Sequence, residues 1–465
     1  MELDPVLIAR IQFAFTVSFH IIFPSFSIGL AAFIATLEGV WLVTKNERYH
    51  QLARFWTKVF AVTFAMGVVS GIVITYQFGT NWSEFSLVVG NVLGPVIGLE
   101  VLTAFFLEAT FLGVMLFGWN KVSPRMHFAS SVIVAVGTVV SAFWILSANS
   151  WMQHPVGYEM RDGIAFPTDW MEIIFNPVFP MRFAHMVIAA YLTIAFVVLA
   201  VGARYLIRNR HVEMAETMVK MGLGLALVLA PLQILTGDFA GLNVHEHQPA
   251  KLAAMEGHWD SDKPAPLVLF GIPNPETQSN DFEIAIPNLG SLIITHSLTG
   301  TFTGLNDIPR DEWPPLLLTF FSFRVMVGIG FAMLGVAALG GLLWMRGTLF
   351  QQLWYHRIIA YAWPLGFVAI IAGWFTAEVG RQPWIVNGLL RTADAISPVS
   401  GAMMLASLCL FVVVYFVIFG AGGYYINRLI EKGPSAHTQS VQRGQPKRPL
   451  SAAHAAARHA AHSQY

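Results

Sequence analysis

Charge is scarce in this chain. Asp, Glu, Lys and Arg make up 12% of its 465 residues, and acids and bases cancel at 27 each. A soluble globular domain carries about a quarter charged residues, so the shortage excludes an ordinary soluble domain. With no basic patch, a nucleic-acid partner is excluded too. Cysteine is nearly absent: the single Cys409 allows no disulfide within the chain and no thiolate metal site. Its place in the apolar run Leu408–Tyr415 predicts a small core residue. The N-terminus Met-Glu-Leu-Asp-Pro lacks a basic n-region and a small-residue cleavage pattern, so the first apolar run is expected to be a retained span. No internal repeat is visible, which counts against a secondary transporter.

What the chain has in quantity is hydrophobic residues, at 55%, in runs long enough to cross a bilayer core of about 30 Å. Nine spans are expected, at roughly 12–43, 56–78, 93–118, 127–150, 181–206, 218–236, 317–345, 355–377 and 399–425. The runs are too long for barrel strands, and only helices otherwise satisfy their own backbone in lipid. The fold class is therefore an all-α integral membrane protein with a large outside loop between helices six and seven. Lys and Arg cluster in alternate connections: Lys45, Arg48, Arg54 and Lys58; Lys121 and Arg125; Arg204, Arg208, Arg210 and Lys220; Arg346 and Arg357. This alternation predicts a periplasmic N-terminus and a cytoplasmic C-terminus. Four segments follow: helices one to six in 1–236, an outside loop in 237–316, helices seven to nine in 317–427, and a disordered cytoplasmic tail in 428–465. The tail histidines His437, His454, His459 and His462 read as solvated.

Ionisable residues inside spans are costly, which makes each a candidate for function. His20, Glu100, His185, Arg324, Met326, Glu378 and Arg381 all fall toward the outer ends of spans one, three, five, seven and eight. Glu108 lies about two turns deeper than Glu100 on nearly the same face. Each has a bland explanation alone: a helix–helix hydrogen bond for a His, packing for a Met, a structural ion pair for a Glu beside an Arg. Together they suggest more. His plus Met suits a low-spin heme iron. A second His with carboxylates at the same depth suits further hemes or a proton route.

Four stretches carry a family resemblance: Arg10–Pro24 (RIQFAFTVSFHIIFP), Gly237–Trp259 (GDFAGLNVHEHQPAKLAAMEGHW), Ser322–Leu334 (SFRVMVGIGFAML) and Gly373–Trp384 (GWFTAEVGRQPW). Together they strongly resemble subunit I of cytochrome bd-type quinol oxidases, over about residues 1–427. The short outside loop resembles the class that includes the cyanide-insensitive oxidases. The resemblance implies His185 and Met326 as the axial pair of a low-spin heme b. It implies His20 and Glu378 as axial ligands of a diheme oxygen site, and Glu100 as an acid beside that site, a further iron ligand or a proton carrier. Glu108 matches the proton-route acid. Lys251 and Glu256 match quinol-loop residues. Arg324 and Arg381 match arginines near heme propionates, and Trp374 of the last motif falls among the cofactor-binding residues.

The implied cofactors are two hemes b and one heme d, or three hemes b. The substrates are ubiquinol or menaquinol and O2. The partners are subunit II and a small single-helix subunit, in the bacterial inner membrane. Quinol would be oxidised at the periplasmic loop and oxygen reduced with cytoplasmic protons, building proton motive force without pumping. The alternative is a heme-b membrane anchor of a quinone-linked dehydrogenase, which would need neither Glu378 nor the acid pair.

Overall fold

The computed structural model describes residues 4–434, and among them nine helices are long and apolar enough to cross a membrane. They are α1 (Pro5–Thr44), α2 (Glu47–Thr80), α3 (Ser83–Phe117), α4 (Pro124–Gln153), α5 (Trp170–Ile207), α6 (Val212–His247), α8 (Leu316–Met345), α9 (Leu353–Val379) and α10 (Gly401–Lys432). A short helix, α7 (Pro249–Glu256), lies between α6 and α8. The number of spans matches the expectation, and most run several residues past the apolar stretch. Polar caps explain several of these ends: Asp4, Ser123 and Ser400 each accept a backbone N–H of the first turn, with Pro5 and Pro124 following two of them.

Two groups of helices meet at the centre. α1 packs on α2, α4 and α10, and α3 lies along α4; α5 packs on α6 and α9, and α8 joins α6 and α9. α1 and α5 link the groups. Residues 192–203 of α5 are buried on every face, as expected of a helix that is apolar all round. The approach is close at Gly29 of α1, where a Cβ would lie 2.7 Å from the Ala190 carbonyl oxygen. At the other extreme, α10 leaves Leu410, Val413, Phe416 and Val417 exposed on this chain. Cys409 is exposed there as well, so it is not the core residue its apolar run suggested.

Three hairpins lie in the α4–α5, α6–α8 and α9–α10 connections: β1 (Tyr158–Arg161) with β2 (Ile164–Pro167), β3 (Leu267–Asn274) with β4 (Ser279–Ile286), and β5 (Trp384–Val386) with β6 (Leu390–Arg391). Alternation of the spans puts all three at one end of the bundle, here called the hairpin end. The Lys- and Arg-rich connections form the opposite, basic end. Two expected boundaries move. Residues 237–247 continue α6 and do not open a loop, and residues 428–432 continue α10. The tail histidines lie outside the described residues. Between α6 and α8, α7 starts with Pro249 at its first position and stops at Gly257 in the left-handed region (φ 65°), the usual punctuation of a short helix.

Candidate functional site

At the hairpin end, four elements bring a buried charge network together. Glu378, at the end of α9, bonds Arg381 Nη2 through Oε2. Its Oε1 accepts from Asn149 Nδ2 at 3.0 Å and Gln153 Nε2 at 3.1 Å, both from the end of α4. Arg182 of α5 stands 4.0 Å away and bonds the Asn149 side-chain oxygen. From α7, Lys251 Nζ donates to Gln153 Oε1 and to Gln248 Oε1, each at 2.6 Å. The glycine of Gly-Arg-Gln-Pro-Trp makes room for Lys251: a Cβ on Gly380 would lie 2.9 Å from the lysine Cγ. Three cations thus surround one carboxylate. Arg381 is 5% exposed, yet its Nε and Nη1 have no hydrogen-bond partner.

Lys251 and Glu256 are not in an aqueous loop. Both are buried, on a helix packed against α6 and α8. Burial drives the Lys251 ammonium well below its ordinary pKa, helped by Arg182 and Arg381, with Glu378 opposing. Burial raises the Glu256 carboxyl, with Arg324 opposing. The two do not converge: five residues on a helix separate their directions by roughly 140°. Lys251 joins the Glu378 network, whereas Glu256 lies beside Arg324, its Oε2 without a partner. Arg324 itself is committed to backbone oxygens of Met255, Glu256, Val268 and Phe320, and its guanidinium stacks 3.3 Å from the Phe320 ring centroid. Those bonds use all five of its donors. Arg324 thereby fixes the end of α7.

Deeper in the bundle, His20, His185 and Met326 share a feature. Each lies against a glycine of a neighbouring span. A Cβ at Gly71 of α2 would lie 3.3 Å from His20 Cε1, one at Gly237 of α6 would lie 3.2 Å from His185 Cε1, and one at Gly373 of α9 would lie 2.8 Å from Met326 Sδ. Each histidine has polar side chains beside its ring nitrogens. Ser70 Oγ lies 2.9 Å from His20 Nδ1. Thr236 Oγ1 lies 3.3 Å from His185 Nδ1, and Gln233 Nε2 lies 3.2 Å from His185 Nδ1 and 3.0 Å from its Nε2. A neutral imidazole with one free nitrogen is the form a metal requires. Trp374 is half-buried on α9, next to Gly373.

Glu100 and Glu108 both face α4. Ser141 Oγ donates to Glu100 Oε1 at 2.7 Å, and a Cβ at Gly137 would lie 2.6 Å from Glu108 Cγ. In a regular α-helix eight residues overshoot two turns by roughly 80°. The π turn Val101–Phe105 between them widens one turn and absorbs that excess. Glu108 is buried, and its Oε1 has no partner.

Sequence reasoning missed Asn149, Gln153, Gln248 and the role of Arg182. Their signal was weak: polar residues at span ends look interfacial. The three facing glycines were also missed, although each stands in a span.

A family model described as cytochrome bd terminal oxidase subunit I matches residues 8–434. The cytochrome bd ubiquinol oxidase subunit 1 of Bacillus subtilis is 37% identical over 444 residues, covering 93% of this chain and 94% of that protein. The cytochrome bd-II ubiquinol oxidase subunit 1 of Escherichia coli is 32% identical, covering 93% and 98%. The solved bd oxidase from Geobacillus thermodenitrificans superimposes with a TM-score of 0.87 at 33% identity, over 93% of this chain and 100% of that one.

Proposed function

This chain belongs to the cytochrome bd terminal oxidase subunit I family, and from that premise we propose how its residues divide the work of a quinol:O2 oxidoreductase. It is a multi-pass protein of the bacterial inner membrane that acts in a complex with subunit II; the heme-b anchor reading is not favoured. The observation that carries the proposal is the network at Glu378. Three cationic side chains gather around one carboxylate, and two guanidinium nitrogens of the buried Arg381 have no acceptor. Buried donors without partners are expensive, so the site fits a group that brings further carboxylates. Heme propionates are such groups.

In this reading His185 and Met326 hold the low-spin heme b, and His20 and Glu378 hold the irons of the oxygen site. Glu100 stands beside them, and Arg381 and Trp374 complete the surroundings. Two hemes b with one heme d, or three hemes b, fill these positions, and when bound they supply the electron storage and oxygen chemistry. The chain supplies the rest. Glu256 accepts a hydroxyl proton from ubiquinol or menaquinol, and burial raises its basicity for the purpose. Lys251 holds two amide oxygens and has a third N–H to orient the ring oxygen. Arg324 fixes α7 so that both residues keep their places. Glu108 and Glu100, both on α3 and facing α4, pass protons toward the oxygen site. The basic end faces the cytoplasm and the hairpin end the periplasm, which is what the distribution of Lys and Arg favours.

The test separates donor from acceptor chemistry. Glu256→Gln and Lys251→Met complexes should keep their hemes, lose quinol-driven oxygen consumption, and retain consumption driven by an artificial donor. Equal loss with both donors would contradict the assignment.

A further inference from the structure

A second buried acid–base pair lies at the basic end, where α1, α3 and α4 meet. Glu38 of α1 is 0% exposed and His127 of α4 is 3% exposed. Glu38 Oε2 is 2.8 Å from His127 Nδ1, and Ser131 Oγ donates to Glu38 Oε1 at 2.7 Å. His127 Nε2 lies 3.1 Å from the Met115 carbonyl oxygen. A carbonyl only accepts, so Nε2 carries a hydrogen. Nδ1 and Oε2 then share one further proton, as imidazolium with carboxylate or as imidazole with carboxylic acid. Net charge on the pair is the costly state at this burial.

The pair is one ring away from the basic-end connections. The Trp119 ring lies against His127 at 3.9 Å between centroids, tilted by 33°, and its indole also meets His50 at 5.4 Å and the Arg54 guanidinium at 5.6 Å. His50 stacks on Trp41 at 4.2 Å and bonds the exposed Glu47 at 3.1 Å. Toward the interior, α4 continues from Ser131 to Gly137, which faces Glu108, and then to Ser141, which bonds Glu100. The rise from 131 to 137 is about 9 Å, past the buried Val134, which is the stretch a proton would have to cross.

We propose that Glu38 and His127 form the intake of the proton route: they load a proton at the basic end and pass it along α4 to Glu108. In each transfer the pair gives its shared proton to the Glu108 carboxylate through water and becomes anionic. One proton from solvent then restores it, and only O–H and N–H bonds form or break. The proposal rests on the reading of Glu108 as a proton carrier.

Glu38→Gln is the discriminating variant. Its amide can keep the Ser131 bond and donate to His127 Nδ1, so the hydrogen bonds survive while the exchangeable proton is lost. In the whole oxidase complex, heme content and the KM for a soluble quinol should stay unchanged. The kcat should fall about tenfold or more, and the solvent deuterium isotope effect should change. A pH dye should report slowed proton uptake when the reduced complex meets oxygen. Wild-type kcat and uptake would overturn the proposal, as would loss of heme in proportion to loss of turnover. His127→Gln, which keeps a donor for the Met115 carbonyl, is the second variant, and normal uptake there would overturn it as well. Glu108→Gln tells the two readings apart. Unchanged uptake in that variant would remove the route itself. Blocked uptake there beside normal uptake in Glu38→Gln would remove only the intake.

Discussion

Two buried clusters of charge sit at opposite ends of this bundle, and they differ in completeness. In the Glu38, His127 and Ser131 cluster each of these side chains is paired with a protein group. Around Glu378, cations outnumber the carboxylate and Arg381 has donors left over. A complete cluster can hold its own proton and needs no ligand. An incomplete one is built for a group that brings negative charge. On the proposed reading, the difference separates a proton-handling end from a cofactor- and substrate-handling end in one continuous helical fold.

The largest expected effect comes from deepening the deficit. Glu378→Ala leaves Arg381, Arg182 and Lys251 with no acid, and breaking a buried pair this way costs about 3–5 kcal/mol. The complex should lose carbon monoxide binding and oxygen reduction, with a lower thermal unfolding midpoint. Carbon monoxide binding at the wild-type level would remove Glu378 from the oxygen site. His20→Ala should disturb the same signals with a smaller loss of stability, since it leaves no buried charge unpaired.

Changes at Lys251 and Glu256 should be next, confined to quinol oxidation. The sign for Glu256 follows from its raised pKa. Below that value the carboxyl is protonated and cannot accept a hydroxyl proton, so turnover should rise with pH along a limb lying above the ordinary glutamate pKa of 4.5. Glu256→Gln should lower turnover and abolish that limb. A Gln variant with the wild-type pH profile would leave Glu256 a structural residue. The smallest effect belongs to neither cluster. Cys409→Ala, on the exposed side of α10, should shift stability by no more than about 0.5 kcal/mol. A larger shift would place a protein contact on that face.

The spans were legible because run length in lipid is a hard constraint, and His, Glu and Arg within them stood out as candidates because charge there is rare. α7 was not picked out, since Gln248–Glu256 is too short to stand apart from the Pro- and Gly-rich segment that follows it. Only Pro249 and Gly257 marked its ends. Glu38 and His127 escaped notice because each falls near a span end, where charge usually reaches water. Glu100 and Glu108 do share a face, but by way of a π turn that sequence spacing does not reveal. The commitment of Arg324 to carbonyls depends on how α7 and β3 fold back over α8, a long-range arrangement that no local pattern encodes.

The central claim is that this bundle is organised around hemes held by named residues, with His185 and Met326 as one axial pair. The most direct measurement is the reduced-minus-oxidised spectrum of the Met326→Leu complex, recorded with and without carbon monoxide. The account predicts loss of the low-spin heme b signal with carbon monoxide binding retained. A low-spin signal of wild-type shape and size would contradict it.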